Sequence, residues 1–425
     1  MGREAAVWVL LALLATARAH MDVVHSWRTV DYAFPSLVAR DAMIRTGKFI
    51  PINIALIDMD VWDGGSSGQK IFVTAPRFKP GNPATLNTVA PNGALQPYPH
   101  WNWHREGNCD GITSVFRVDI DQCGRLWVLD SGMVDIFEKE PRMICPPQIL
   151  VFNLNNDKLI GRYVFPSDVA DSRSLLVTIA VDTRDPKCLD TFAYVADVTG
   201  YRLLVVDAVR QKSWRVTNNY FYPYPLHGSF NINGVSFDLM DGVIGLALGP
   251  VVNNDRRLYF HSLASVRESW VATSLLRNQT LFTEGDGAPR SFHVSQFTRS
   301  SQSAAEAMSP NGVLFFGLLS QNAIACWNSR LPYAPQNINI VAKNNETLQF
   351  ASGLKYRSDA VWALTSRLQN YIIANVSENE VNYRVVRGDA WTLTVGNSCH
   401  KSGTAGIYTD RPQSLSGYRP FIFQR

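Results

Sequence analysis

A short figure recurs six times along the chain and constrains its fold more than any other feature. A polar turn leads into a brief apolar strand that carries an aromatic near its start and ends in small or acidic residues. The sharpest copy is Asp121-Gln-Cys-Gly-Arg-Leu-Trp-Val-Leu-Asp-Ser-Gly132. The others are centred on Phe72, Tyr194, Tyr259, Phe315 and Trp362, so that successive aromatics lie 47 to 67 residues apart. Units of this length, each rich in short strands, are the mark of a β-propeller, and the longer intervals imply long loops. The expected fold is all-β: six blades, each a four-stranded antiparallel sheet.

With 425 residues and an apolar fraction of 46%, the chain has ample material for one large repeat domain. Net charge is only +4, from 40 basic and 36 acidic residues, with no basic run, which argues against nucleic acid as a partner. The first 19 residues resemble a signal peptide. Arg3 precedes an apolar run over 5–15, and Ala17-Arg-Ala19 offers small residues for cleavage. That run is too short to span a bilayer, and no later segment reaches 18 apolar residues, so a secreted, extracellular protein without a membrane span is expected. The propeller is expected over 20–400, followed by a loosely held extension over 401–425.

In an exported chain, six cysteines favour disulfides, and none has zinc-site spacing. The blade assignment predicts their pairing by face. Cys109 and Cys145 precede a first and a third strand, Cys123 and Cys188 sit in first-to-second strand turns of neighbouring blades, and Cys326 is left with Cys399. Asn278, Asn345 and Asn375 head glycosylation triplets. Trp27 to Phe34, stopped by Pro35, reads as a strand that closes the ring in the last blade. A short helix is expected over 41–47, and blade six is expected to hold 352–356, 360–365 and 371–375.

The blocks Cys123-Gly-Arg-Leu-Trp-Val-Leu-Asp-Ser-Gly132, Phe192-Ala-Tyr-Val-Ala-Asp197, Leu314-Phe-Phe-Gly-Leu318 with Cys326-Trp-Asn328, and Glu346-Thr-Leu-Gln-Phe350 resemble the Yellow / major royal jelly protein family of insects. The resemblance covers roughly residues 24 to 400 and favours the Yellow branch. It implies a secreted six-bladed propeller. Some members resemble binders of aromatic amines in the central channel; others act in cuticle or eggshell pigmentation, and a few are tautomerases of dopachrome or dopaminechrome.

No nucleophile elbow, zinc-protease motif, phosphate loop or dinucleotide fingerprint is present, and no cofactor or metal is expected. Asp119 to Asp130 imitates the start of a calcium loop, but residues 125–130 read as a strand, so a blade turn explains it. The expected ligand is a small aromatic amine or quinone at the channel mouth. It would stack on Trp101 or Phe350, with Asn108, Asp110, Thr347 and Gln349 holding an amine and Arg173 countering a carboxylate. If the protein is a tautomerase, His104 is the candidate acid/base. A calcium-dependent lactonase-like hydrolase is the third reading.

Overall fold

A computed structural model of the chain describes residues 20–64 and 68–400; the expected signal peptide and C-terminal extension lie outside them. Six four-stranded antiparallel sheets surround one axis. Blade one holds Asp58–Trp62, Lys70–Thr74, Leu86–Val89 and Leu95–Pro97; blade two holds Val115–Ile120, Arg125–Asp130, Gln148–Asn153 and Lys158–Val164. Blade three holds Leu176–Thr183, Thr191–Asp197, Arg202–Asp207 and Lys212–Thr217, and blade four Val243–Leu248, Arg257–Ser262, Ser269–Ala272 and His293–Val294. Blade five holds Glu306–Met308, Val313–Leu318, Ala323–Asn328 and Ile338–Lys343. Blade six is Ala351–Arg357, Ala360–Ser366 and Tyr383–Asp389, completed by the N-terminal Asp22–Trp27.

The recurring figure is the second strand of every blade. Its aromatics, Phe72, Trp127, Tyr194, Tyr259, Phe315 and Trp362, are all buried. In blade two the acidic ends of the figure are spent on structure. Asp121 accepts from the backbone of Cys123 and Arg125 and from the side chains of Arg125 and Trp127. Asp130 accepts from the backbone of Thr113, Ser114 and Gly132. A carboxylate at each end thus fixes the turn and the start of the adjoining strand, as the turn reading requires.

The three disulfides are Cys109–Cys145, Cys123–Cys188 and Cys326–Cys399, the pairing expected from the faces. No described helix is long and apolar enough to cross a membrane. Asn278, Asn345 and Asn375 are all exposed.

Ring closure differs from the expectation in detail. The closing strand ends at Trp27 instead of beginning there, and Asp22 pairs with Arg387, Trp27 with Tyr383. Beyond it the chain crosses to blade one, where Tyr32 bridges Leu95 and Trp27 Nε1 donates to Gly93 O at 2.7 Å. The strand lies outermost, so most of its side chains face water and carry no apolar alternation. The expected third strand of blade six over 371–375 is instead the end of a short helix, Leu368–Ile372, with Tyr371 buried and its hydroxyl on Asn53 O. The true third strand, Tyr383–Asp389, hides its pattern behind Arg384 and Arg387. The first helix runs Leu37–Arg45, starting earlier than expected because Ser36 caps Ala39 N.

Candidate functional site: the two mouths of the channel

The inner strand of each blade is a sheet edge, and its free backbone groups must find partners along the axis. Buried charged side chains supply them. Asp58 and Asp60 of blade one accept from Val118 N and Ile120 N of blade two, and Asp119 of blade two accepts from Val181 N of blade three. Arg117 does the reverse for the carbonyls. Its guanidinium reaches from blade two to Thr178 Oγ1 (2.8 Å), Ile244 O (3.2 Å), Ala304 O (2.9 Å) and Ser352 O (2.7 Å), which belong to blades three, four, five and six. One fully enclosed arginine thereby ties five blades together and divides the channel into two mouths.

The mouth on the side of the turns between first and second strands is polar. A cavity of about 230 Å³ opens there, lined by Asp119, Thr183, Arg256, Glu306, Lys355 and Arg357 among others. Most of these charges are already paired. Arg357 holds Asp60 at 2.8 Å and Asp119 at 2.9 Å, and Lys355 lies 3.4 Å from Asp58.

The opposite mouth, ringed by the loops that join one blade to the next, is apolar. Phe116, Met133, Leu175, Val177, Ile244, Ala304 and Phe350 form one buried cluster there with Phe230, Ile232 and Phe237. The last three come from a hairpin, Ser229–Ile232 and Val235–Asp238, inserted before blade four. It turns at Asn233 and Gly234, whose φ values of 52° and 86° fit a type I′ turn. Its inward side chains make a near-parallel ring series: Phe230 to Phe237 at 5.1 Å, then Phe237 to Phe350 at 6.5 Å. This hairpin is not among the elements expected from the sequence. The signal was present in the Asn-Gly pair flanked by alternating apolar residues.

Phe350 has a backbone φ of +33°, a left-handed conformation that costs a non-glycine residue on the order of 1–3 kcal/mol. It directly precedes blade six's inner strand. Gln349 beside it is buried, with its amide nitrogen on Asn345 O and its amide oxygen on Gln369, so it has little left to offer a ligand. Thr347 is half-buried at the same loop.

Of the other expected contacts, Trp101 packs on the blade-one side of the same extended cluster, and Asn108, Asp110 and Arg173 are exposed. Trp101 stacks on Phe34 at 5.1 Å and lies against Tyr32 at 5.9 Å, which anchors the N-terminal segment to blade one. Asp110 is exposed and pairs at 3.1 Å with Arg162 on the outermost strand of blade two, and the neighbouring Asn108 caps Asp110 N. Arg173 is exposed, with Asp171 at 3.6 Å.

His104 is corrected by its surroundings. It is 3% exposed, with Nε2 3.0 Å from Tyr98 O and Nδ1 accepting from Thr85 N. Burial, then the charge of Arg77, push its pKa down to about 3. A buried, neutral imidazole with both nitrogens engaged is poorly placed to pass protons at physiological pH. Asp241 has the opposite character. It is half-buried two residues before blade four's inner strand, next but one to Leu239, which packs on the apolar cluster. Burial alone pushes its carboxyl up to about 6.

A sequence model of the family described as "Major royal jelly protein" matches residues 113–399. "Protein yellow" of Drosophila erecta is 33% identical over 412 residues, covering 92% of this chain and 74% of that protein. "Protein yellow" of Drosophila melanogaster is 32% identical over the same extent. Among solved structures, a luciferin-regenerating enzyme aligns over 82% of this chain and 93% of that chain at 12% identity, with a TM-score of 0.45.

Proposed function

The chain belongs to the major royal jelly protein family, with Yellow proteins among its relatives, and on that footing we propose that it is a secreted binder of a small aromatic amine or quinone in the pigmentation pathway. The ligand sits at the loop-face mouth of the channel, above the Arg117 floor, with its ring against Phe350. The observation that carries this reading is the strained backbone of Phe350. A bulky residue is held at φ +33° only where the surroundings over-determine it, and such positions gather at functional sites. The ring series Phe230–Phe237–Phe350 supports the same reading, because an aromatic ligand can take the place of Phe237 when the hairpin lifts. Asp241 supplies the carboxylate for an amine, the role expected of Asp110.

The raised pKa of Asp241 favours one second reading, in which the protein is a dopachrome or dopaminechrome tautomerase. A carboxyl near 6 is suited to pass a proton at neutral pH, as His104 is not.

Isothermal titration with dopamine, tyramine and a neutral catechol tests the binder. Phe350→Ala is expected to weaken all three by about 1–3 kcal/mol, the burial value of such a ring. Asp241→Asn is expected to weaken only the two amines. The tautomerase reading further requires that the protein speed loss of aminochrome absorbance above the buffer rate, and that Asp241→Asn abolish most of that gain. Binding with unchanged aminochrome decay would leave the binder and remove the enzyme. No binding by any of the three ligands, together with unchanged aminochrome decay, would remove both.

A further inference from the structure

Behind the turn-face mouth, His261, Glu268 and Glu306 meet in the cleft between blades four and five, with side chains wholly out of solvent. His261 stands on blade four's second strand opposite Gly245. The glycine is required, because a Cβ there would lie 2.3 Å from His261 Cε1. Glu268, in the loop to the third strand, is fixed by exchange with Ser295: Glu268 N donates to Ser295 Oγ and Ser295 N donates to Glu268 O. Glu306 opens blade five's inner strand. His261 Nδ1 is 3.1 Å from Glu268 Oε2 and 3.2 Å from Glu306 Oε2.

Two occupants could hold two carboxylates and an imidazole this close: a proton or a metal ion. A proton on Nδ1 gives one hydrogen bond, to Glu268, and the charge of Arg299 adds a second at 3.0 Å to the same oxygen. Neither oxygen of Glu306 then accepts any hydrogen bond, although its side chain is fully buried. Arg117 lies near enough for its charge to act on Glu306, but the N–H groups of its two terminal nitrogens are spent on blades three to six. An ionised, desolvated carboxylate with no donor costs several kcal/mol. A single proton on Nδ1 therefore leaves Glu306 unsatisfied where a cation would satisfy it, and a second proton shared by the two carboxyls is the competing occupant.

We infer that His261 Nδ1, Glu268 and Glu306 form a site for a divalent transition ion of the zinc type. Zinc takes imidazole nitrogen and carboxylate oxygen at about 2.0–2.1 Å, so adjacent donors of a tetrahedral site stand roughly 3.3 Å apart. The two nitrogen–oxygen separations already lie close to that spacing. Calcium and magnesium are poor fits, since they take oxygen donors and larger or octahedral shells. Arg299 orients Glu268 from outside the site, as second partners of metal ligands commonly do. Glu306 also lines the 230 Å³ turn-face cavity, the side from which an ion would reach the cluster. The site is independent of the aromatic mouth and stands or falls separately from it.

The test uses untagged, secreted full-length protein, loaded with excess zinc chloride, gel-filtered and measured for metal. About one zinc per chain is expected, and loss of about nine-tenths of it in Glu306→Gln and in Glu268→Gln, removal of one ligand sufficing. Circular dichroism and gel filtration of each variant check that it is folded. Should both variants misfold, cobalt(II) on the wild-type protein decides: one equivalent is expected to give the intense visible bands of a tetrahedral ion, displaced by zinc. Wild-type protein that retains no zinc above a buffer blank would show that a proton alone holds the cluster. Zinc retained equally by a folded Glu306→Gln would place it elsewhere on the chain. Either result, or a cobalt spectrum without tetrahedral bands, overturns the site.

Discussion

Replacing Arg117 should reveal how much of the ring is held at its axis. The guanidinium is fully buried and bonded to four blades besides its own, three of the four partners being main-chain carbonyls. A buried carbonyl left without a donor costs about 1–3 kcal/mol. Three of them therefore set a loss of about 3–9 kcal/mol, and Asp58 and Glu306 lose a nearby countercharge as well. Water can recover part of this if it has room. That gives an internal comparison. Arg117→Ala opens a hole that water can fill and should cost about 3–5 kcal/mol, whereas Arg117→Met fills the hole with apolar atoms and should cost more. Arg117→Lys keeps a charge but loses the planar fork, and should fall between wild type and Ala. Urea unfolding with disulfides intact, followed by tryptophan fluorescence, gives each loss as a midpoint shift at constant slope. If Arg117→Met unfolds within about 1 kcal/mol of wild type, the carbonyls are not held by this side chain and the hub account fails.

Three further outcomes are expected. Asp241 carries a carboxyl raised to about 6, so its contribution to stability is full below the ordinary carboxylate range and is lost as pH rises through 6. Asp241→Asn should therefore melt higher than wild type at pH 7.5, by the equivalent of about 1–2 kcal/mol after allowing for its partial exposure, and no higher at pH 4. Amine affinity should in turn fall as pH drops through 6, with catechol unaffected; a flat amine profile between pH 5 and 8 would count against Asp241. His104→Ala should lower stability by about 2–4 kcal/mol through lost packing and two lost hydrogen bonds while leaving ligand affinity intact, and calorimetry of folded variant reads both. Deleting residues 20–27 removes the outer strand of blade six and exposes the edge of Tyr383–Asp389. That variant should aggregate or fail to be secreted, and normal secretion at an unchanged melting temperature would contradict closure by this strand.

The architecture was legible because the fold repeats. Each second strand carries its own aromatic, so six weak local signals add to one strong one; the loop faces that follow from them point to two of the disulfides, and the third follows by elimination. What escaped were elements whose burial is set by partners distant in sequence. Asp22–Trp27 shows water most of its side chains, and its place depends on Tyr383–Asp389, more than 350 residues on. The site was legible only in part, for the same reason. Phe350 could be placed at a loop leading to an inner strand, but Trp101 and His104 occupy a similar loop and turn outward to blade one and inward to Arg77. Residue type and loop position are identical inputs there; only packing separates them. Arg117 left no trace in the sequence, since an arginine within a strand reads as an exposed position until the axis it faces is known.

The central claim is that an aromatic ligand enters the loop-face mouth and stops above Arg117. Crystals of the protein soaked with a ring-brominated phenethylamine test it directly, because anomalous scattering locates the bromine without assumption. The account predicts one peak in van der Waals contact with Phe350, with the hairpin of residues 229–238 displaced from it. A peak in the polar cavity beside Lys355 and Arg357, or bromine bound only at the outer rim near Trp101, would contradict it.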